Sequence, residues 1–187
     1  MLFGASQDLM RGKQLFSNAA VVSVMAAIFV CASTTASGCS RYAPFSFDEL
    51  FVADAIVRAT AEKYVKEPDP SKRTTGPAEA EVEFKIEEIL RGKNLPKTII
   101  LSGYLSGRND YNDMPVPYTL VRKNGRSGSC FANTYRRGGQ FLLFLRKTEN
   151  GYTPNISPLG PSNEQLRGSE DPWLWWARVE ISNRDTD

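Results

Sequence analysis

The stretch from Glu79 to Glu87 constrains the fold more than any other part of this chain. Ala80, Val82, Phe84 and Ile86 alternate there with Glu79, Glu81, Glu83, Lys85 and Glu87. Strict period-two amphipathicity belongs to a strand with one face in a core and the other in water, because a helix would scatter those apolar side chains around its circumference. Its acidic side reads as solvent-facing. Ala55, Val57, Ala59 and Ala61 repeat the pattern against Arg58, Thr60 and Glu62, and Lys97 to Ser102 forms a third strand. Gln140-Phe141-Leu142-Leu143-Phe144-Leu145 is a short, continuous apolar run suited to a central strand. Tyr152 to Ser157 follows it across a turn at Glu149-Asn150-Gly151. Five strands joined by uneven loops predict a mainly β chain folded as a small five-stranded barrel, closed or partly open.

Two short helices flank those strands. Ser46-Phe47-Asp48-Glu49 fits a capping box, with Ser46 as N-cap, and starts a helical turn over Phe47 to Val52. Asp171-Pro172 starts a C-terminal helix, with Asp171 as N-cap and Pro172 in the first turn. Trp173, Trp176 and Ala177 share one face of it, which predicts a helix docked on the barrel. Asn183 to Asp187 reads as a frayed tail. Between the strands, Lys66 to Pro77 and Pro158 to Gly168 read as loops, and Gly103 to Gly128 as a long loop-rich insert. Within the insert, Asn124-Gly125 suggests a tight hairpin turn pairing Tyr118 to Arg122 with residues near Ser127. Asp110 and Asp113 lack the spacing of a calcium loop and read as plain polar loop residues.

The N-terminus carries a different signal. Arg11 and Lys13 precede a nearly uncharged apolar run, Leu15 to Val30, and then the small, weakly polar run Cys31 to Gly38. This is the layout of a secretory signal peptide. Sixteen helical residues span about 24 Å, short of a ~30 Å hydrocarbon core. Two cleavage positions fit, after Ala36 and after Gly38. A small residue before Cys39 also fits a lipoprotein signal, and an uncleaved anchor is a further alternative. The expected organisation is a signal at 1–38, a barrel domain at 39–160, and a C-terminal loop and helix at 161–187 packed on the barrel. The expected location is exported: secreted, periplasmic or attached to the cell envelope.

Loss of residues 1–38, which hold Arg11, Lys13 and Asp8, leaves 149 residues with 21 basic and 20 acidic side chains. Two cysteines remain, Cys39 and Cys130, and in an oxidising compartment they either pair or stay as two thiols. A Cys39–Cys130 bridge would contribute at most about 4–5 kcal/mol by the chain-entropy argument.

Composition narrows the chemistry. The 187 residues include no histidine. A Ser-His-Asp or Cys-His relay, His-ligated zinc and imidazole acid-base catalysis are therefore all excluded. The remaining glutamates and arginines read as solvated barrel surface, and no spacing isolates a catalytic carboxylate pair. A net charge of +2 gives no electrostatic case for nucleic acid. The expectation is a non-enzymatic binding module with no catalytic residue, no cofactor and no metal of its own.

The order of landmarks resembles a family. Cys39 is followed by a Pro-containing segment and a short helix, and Ala53-Asp54-Ala55-Ile56-Val57 leads into the first strand. Val82-Glu83-Phe84-Lys85-Ile86-Glu87-Glu88-Ile89-Leu90-Arg91-Gly92 is similar to the strand and turn of netrin-like domains. Ser129-Cys130-Phe131 and Arg137-Gly138-Gly139-Gln140-Phe141-Leu142-Leu143-Phe144 complete the pattern. Over about Cys39 to Ser157 the chain resembles the inhibitory domain of tissue inhibitors of metalloproteinases and its bacterial relatives. The resemblance implies an OB-fold barrel, with either a secreted metalloprotease or another envelope protein as partner. In those inhibitors the α-amine and carbonyl of the N-terminal cysteine ligate the protease zinc, and a disulfide to a central loop holds that cysteine in place. The resemblance assigns these roles to Cys39 and Cys130, puts Ser40 beside the S1′ pocket and makes Ser129 a protease contact. Arg41 stands where the family has a second cysteine.

Overall fold

The computed structural model describes residues 45–71, 78–155 and 157–186, all within the compact unit Gly38–Asp187. The expected signal at 1–38, Cys39, Ser40 and Arg41 lie outside the described residues.

The chain is mainly β, as the alternation predicts. Three strands run as an antiparallel meander: β1 (Ala55–Lys66), β2 (Glu81–Arg91) and β3 (Thr98–Ser102). A long connection carries β4 (Tyr104–Ser106), a π-helical turn at Gly125–Ser129 and β5 (Thr134–Arg136), with β4 and β5 paired in parallel. The chain then returns as β6 (Gln140–Thr148) to lie antiparallel beside β1, from Ala55↔Leu145 to Thr60↔Gln140. The spatial order β6-β1-β2-β3 is a Greek key. β7 (Gly151–Pro154) and β8 (Asn163–Leu166) share the other edge of β6, against Leu145–Thr148 and Gln140–Leu143 respectively.

The sheet is strongly curled. Register shifts interrupt the β1–β2 ladder at four places, and each bulge adds bend and twist. Alanines 55, 59 and 61 leave room inside the curl for Phe84, Tyr135 and Phe141, whose rings meet edge-to-face at 4.8–5.9 Å. β3 and β7, the two ends of the order β3-β2-β1-β6-β7, come within 8 Å of each other. No ladder joins them among the described residues, so the curl has an open seam.

β6 is buried on both faces, as its unbroken apolar run requires. Phe141, Leu143 and Leu145 point into the curl, while Leu142 and Phe144 join Ile56 of β1 in a second, outer core. That outer core is covered by helix α1 (Asp48–Phe51) and helix α2 (Pro172–Arg184). The capping box forms one residue out of its expected frame. Ser46 Oγ accepts from Asp48 N at 3.3 Å, and Glu49 Oε1 accepts from Ser46 N at 3.3 Å. Asp171 caps α2 as predicted, its Oδ1 accepting from Trp173 N at 2.9 Å. Trp173 stacks on Trp176 at 4.4 Å on one side and on Tyr118 at 4.8 Å on the other. Arg178 straps the helix to Glu88 of β2 at 2.8 Å. Burial alone would raise the Glu88 carboxyl, but hydrogen bonds from Arg178 and Arg58 outweigh it and hold the group below its ordinary range.

Four sequence expectations are corrected. Pro158 to Gly168 is not all loop, since β8 lies within it. The run Asn163-Glu164-Gln165-Leu166, polar but for Leu166, carries no alternation, but its backbone completes the edge of β6 and all four residues are buried. Asn124-Gly125 is not a hairpin turn, because Asn124 is helical (φ −54°, ψ −45°) and opens the π-helical turn. Gly125 is required there by contact: a Cβ would sit 2.7 Å from the Val121 side chain and 2.8 Å from Ala132 N. β2 runs past the alternation that ends at Glu87, continues to Arg91, and ends where Gly92 adopts φ +112°. The C-terminal tail is helical through Arg184, whose guanidinium packs over Phe51 at 4.4 Å and pairs with Asp48 at 2.8 Å.

The docking of α2 is testable in urea denaturation. Trp173→Ala should lower the unfolding free energy by about 3–5 kcal/mol. Trp175, 65% exposed on the opposite side, should lose no more than about 0.5 kcal/mol on the same change. Equal losses at the two positions would contradict this packing.

Candidate functional site

The residues given roles by the family resemblance divide in two. Cys39 and Ser40 lie outside the described residues. Ser129 and Cys130 close the π-helical turn, where Ser129 Oγ donates to Phe131 O at 2.8 Å and Cys130 adopts φ +65°. Leu159 N donates to Cys130 O at 2.6 Å, which ties this turn to the segment leading into β8. Asn124 braces it from beneath, with Oδ1 accepting from Asn133 N at 3.1 Å and Thr134 N at 3.2 Å.

Under this turn lies a buried polar network that no sequence pattern indicated. Arg122 is fully buried. Its Nη1 donates to Asp110 Oδ2 at 2.7 Å and Thr134 O at 2.8 Å, and its Nε donates to Asn163 O at 3.2 Å. The guanidinium lies 5.4 Å from the Phe141 ring centre and 5.6 Å from that of Tyr135. Glu164 is buried beside it, with Oε1 accepting from Arg122 N at 3.1 Å and Oε2 from Asn112 Nδ2 at 2.9 Å. The reading of every arginine and glutamate as solvated surface is therefore corrected at these two positions. Burial pushes the Glu164 carboxyl up to about 7, although the Arg122 charge and the two N–H donors pull the other way. Asp110 and Asp113 serve as pairing groups, Asp110 to Arg122 and Asp113 to Lys123 and Arg126. Among the described residues no group of three Cys, Asp or Glu side chains is placed to hold a metal ion, and no helix is long and apolar enough to cross a membrane.

The network borders a cavity. About 250 Å³ of space opens at the seam between β3 and β7, and its surface is mostly apolar. Ala78 and Ser102 wall it on the β3 side, Thr153 and Pro154 on the β7 side, and Phe131 and Asn163 elsewhere. Asn163 is buried, and its Nδ2 donates to Ala132 O at 2.6 Å and to the Tyr135 hydroxyl at 3.0 Å. Its Oδ1 is buried and accepts no hydrogen bond. A second concavity of about 400 Å³ is polar and more open, lined by Arg136, Gln140, Gln165 and Arg167 among others. Most of its polar groups already have partners: Gln165 with Asp110 N and Asn109, Gln140 with Arg58, and Arg167 with Asn112 O. The seam cavity is thus the concavity of the two whose lining is mostly apolar.

No sequence pattern points to Asn163, Glu164 or Arg122 as buried groups. The one local signal, at Asn163 and Glu164, is the polar run Asn163-Glu164-Gln165 directly before Leu166. Comparison with family models and with curated proteins finds no match to this chain.

The network sets a pH dependence with a definite sign. Between about 4.5 and about 7 the folded protein keeps a proton on Glu164 that the unfolded chain has released. Stability contributed by that proton is present at low pH and is lost as pH rises through that window, by about 3 kcal/mol in all. Chemical denaturation of wild type and Glu164→Gln across this range checks it. The variant should show a flatter profile, and an unchanged slope would contradict the assignment.

Proposed function

We infer that this chain is an exported, non-enzymatic binding module on a five-stranded, OB-fold-like barrel of netrin-like type, and that it takes its ligand at the seam between β3 and β7. The seam cavity carries the reading, because it offers a mostly apolar space lined by ten uncharged residues at the open edge of the sheet. The Greek-key order and the approach of β3 to β7 support a partly open barrel of five principal strands. The layout of residues 1–38 supports export. The buried network supports binding over catalysis, since Asp110, Glu164 and the Nε and Nη1 of Arg122 hold the connection in place.

Ser102 is exposed at the end of β3 and lines the cavity. Ser102→Phe should therefore plug the seam and leave the fold intact. In a thermal-shift screen of neutral fragments, ligands should raise the melting temperature of wild type and lose that effect on the variant. The absence of any stabilising fragment, or hits indifferent to the plug, would overturn the seam as the binding site.

A second reading has one observation in its favour. Ser129 and Cys130 adjoin Phe131 on the rim of the same cavity, on a turn braced by Asn124. A Cys39–Cys130 bridge would bring the mature N-terminus there, as the resemblance implies for a metalloprotease inhibitor acting through the Cys39 amine and carbonyl. Adding one alanine before Cys39 should then abolish inhibition across a metalloprotease panel. Unchanged potency would reject that mechanism.

A further inference from the structure

The polar concavity of about 400 Å³ has a charge pattern of its own, and it shares no lining residue with the seam cavity. Two arginines line it, Arg136 and Arg167, and no carboxylate does. Elsewhere Arg58, Arg122, Arg126, Arg178 and Arg184 each pair with an Asp or Glu. Among the described residues no carboxylate pairs with Arg136, nor with Arg108 or Arg137. The fold gathers these three at one place. β4 and β5 end in register at Ser106↔Arg136, Arg137 N donates to Ser106 O at 2.9 Å, and Arg108 N donates to Ser106 Oγ at 3.0 Å.

Arg167 joins them because β8 pairs Leu166 with Gln140, which sets the residue after β8 beside the start of β6. Its side chain is half exposed, and its guanidinium donates to Asn112 O at 2.9 Å and to the Tyr118 hydroxyl at 3.3 Å. These neutral partners hold the group in place without cancelling its charge. Asp171 Oδ2 lies 3.8 Å from Arg167 Nη1, but that carboxylate is buried, caps α2 and is not part of the lining. A concentration of fixed positive charge at the mouth of a concavity favours an anion. The volume falls within the roughly 300–1,000 Å³ of small-molecule pockets, so the anion carries a body. Asn109, Gln140, Gln165 and Ser169 line the remainder and suit a hydroxylated body better than a hydrocarbon one.

We propose that this concavity is a second ligand site, for a small, polar phosphate monoester whose dianion is held by the charges of Arg136 and Arg167. Two guanidinium groups favour a dianion over a carboxylate, because each contributes in proportion to the charge it meets. The site is independent of the seam and adds a ligand class to this chain.

The test titrates the full chain with glucose 6-phosphate, glucose and acetate at constant ionic strength, read in nitrogen–proton correlation spectra. At about pH 7.5 the monoester, with a second pKa of about 6, is mostly a dianion. Glucose 6-phosphate should shift the Gly138, Gly139, Gly168 and Ser169 amides saturably, and acetate and glucose should bind at least about tenfold more weakly. A Cβ added at Gly168 meets nothing within 4 Å, so Gly168→Glu adds a carboxylate to the lining without a clash. Gly168→Glu and Arg136→Gln should each weaken binding about tenfold, while Gly168→Gln, of the same shape and no charge, should change it less than about twofold. Ser102→Phe should leave it unchanged. Absence of saturable shifts with glucose 6-phosphate would overturn the site. Acetate binding as tightly would overturn the dianion, and glucose binding as tightly would overturn the anion altogether. Equal effects of Gly168→Glu and Gly168→Gln, or full affinity in Arg136→Gln, would overturn the charge as its basis. Loss of binding in Ser102→Phe would overturn its independence from the seam.

Discussion

The buried guanidinium of Arg122 is the interaction on which the rest of the architecture depends. The segment between β3 and β6 has little regular structure, yet it must cross the end of the curl and deliver β6 to its place beside β1. Arg122 pins it at three points distant in sequence: Asp110 earlier in the connection, Thr134 in β5 and Asn163 in β8. Removing one partner of a buried charge costs far more than the pair contributes when intact, because the other charge is stranded in low dielectric. The arrangement therefore works as an all-or-none clamp. β8, the π-helical turn and the seam cavity are all held by it.

The fold was legible where burial follows local periodicity. The alternation around Val82 and Phe84, the apolar run of β6 and the capping signal at Asp171 each specify their element without help from elsewhere in the chain. β8 was not legible, because Asn163, Glu164 and Gln165 are polar residues whose burial is compensated by partners 28 to 56 positions away. Asn124-Gly125 misleads for a related reason. The dipeptide matches a turn preference, but the glycine is needed so that Val121 and Ala132 can approach it. The candidate site was the least visible feature, since its walls come from five separate stretches of chain. Of the residues singled out beforehand, Ser129 and Cys130 fall beside it, while Cys39 and Ser40 lie outside the described residues.

The two faces of the sheet divide the labour. The inner face packs small alanines against large rings and sets the tightness of the curl. The outer face, with Ile56, Leu142 and Phe144 under the stacked indoles of α2, makes β1 and β6 double-sided and hence rigid. The ends of the sheet lack that backing. β3 presents Ile100, 46% exposed, and is only five residues long. A ligand seat is best built on such an edge, where local adjustment does not disturb either core.

The Greek key also has a consequence in time. β1 meets β2 across a connection of about fourteen residues, but Ala55 meets Leu145 only after the 89 positions between them have been laid down. Closing that second loop costs more entropy than closing the first, and long-range pairings of this kind slow folding. Until β6 arrives, one edge of β1 and the apolar face around Ile56 stay uncovered, open to pairing with other chains. α2 follows all eight strands in the chain, so the tryptophan lid closes over that face only after every strand has been made.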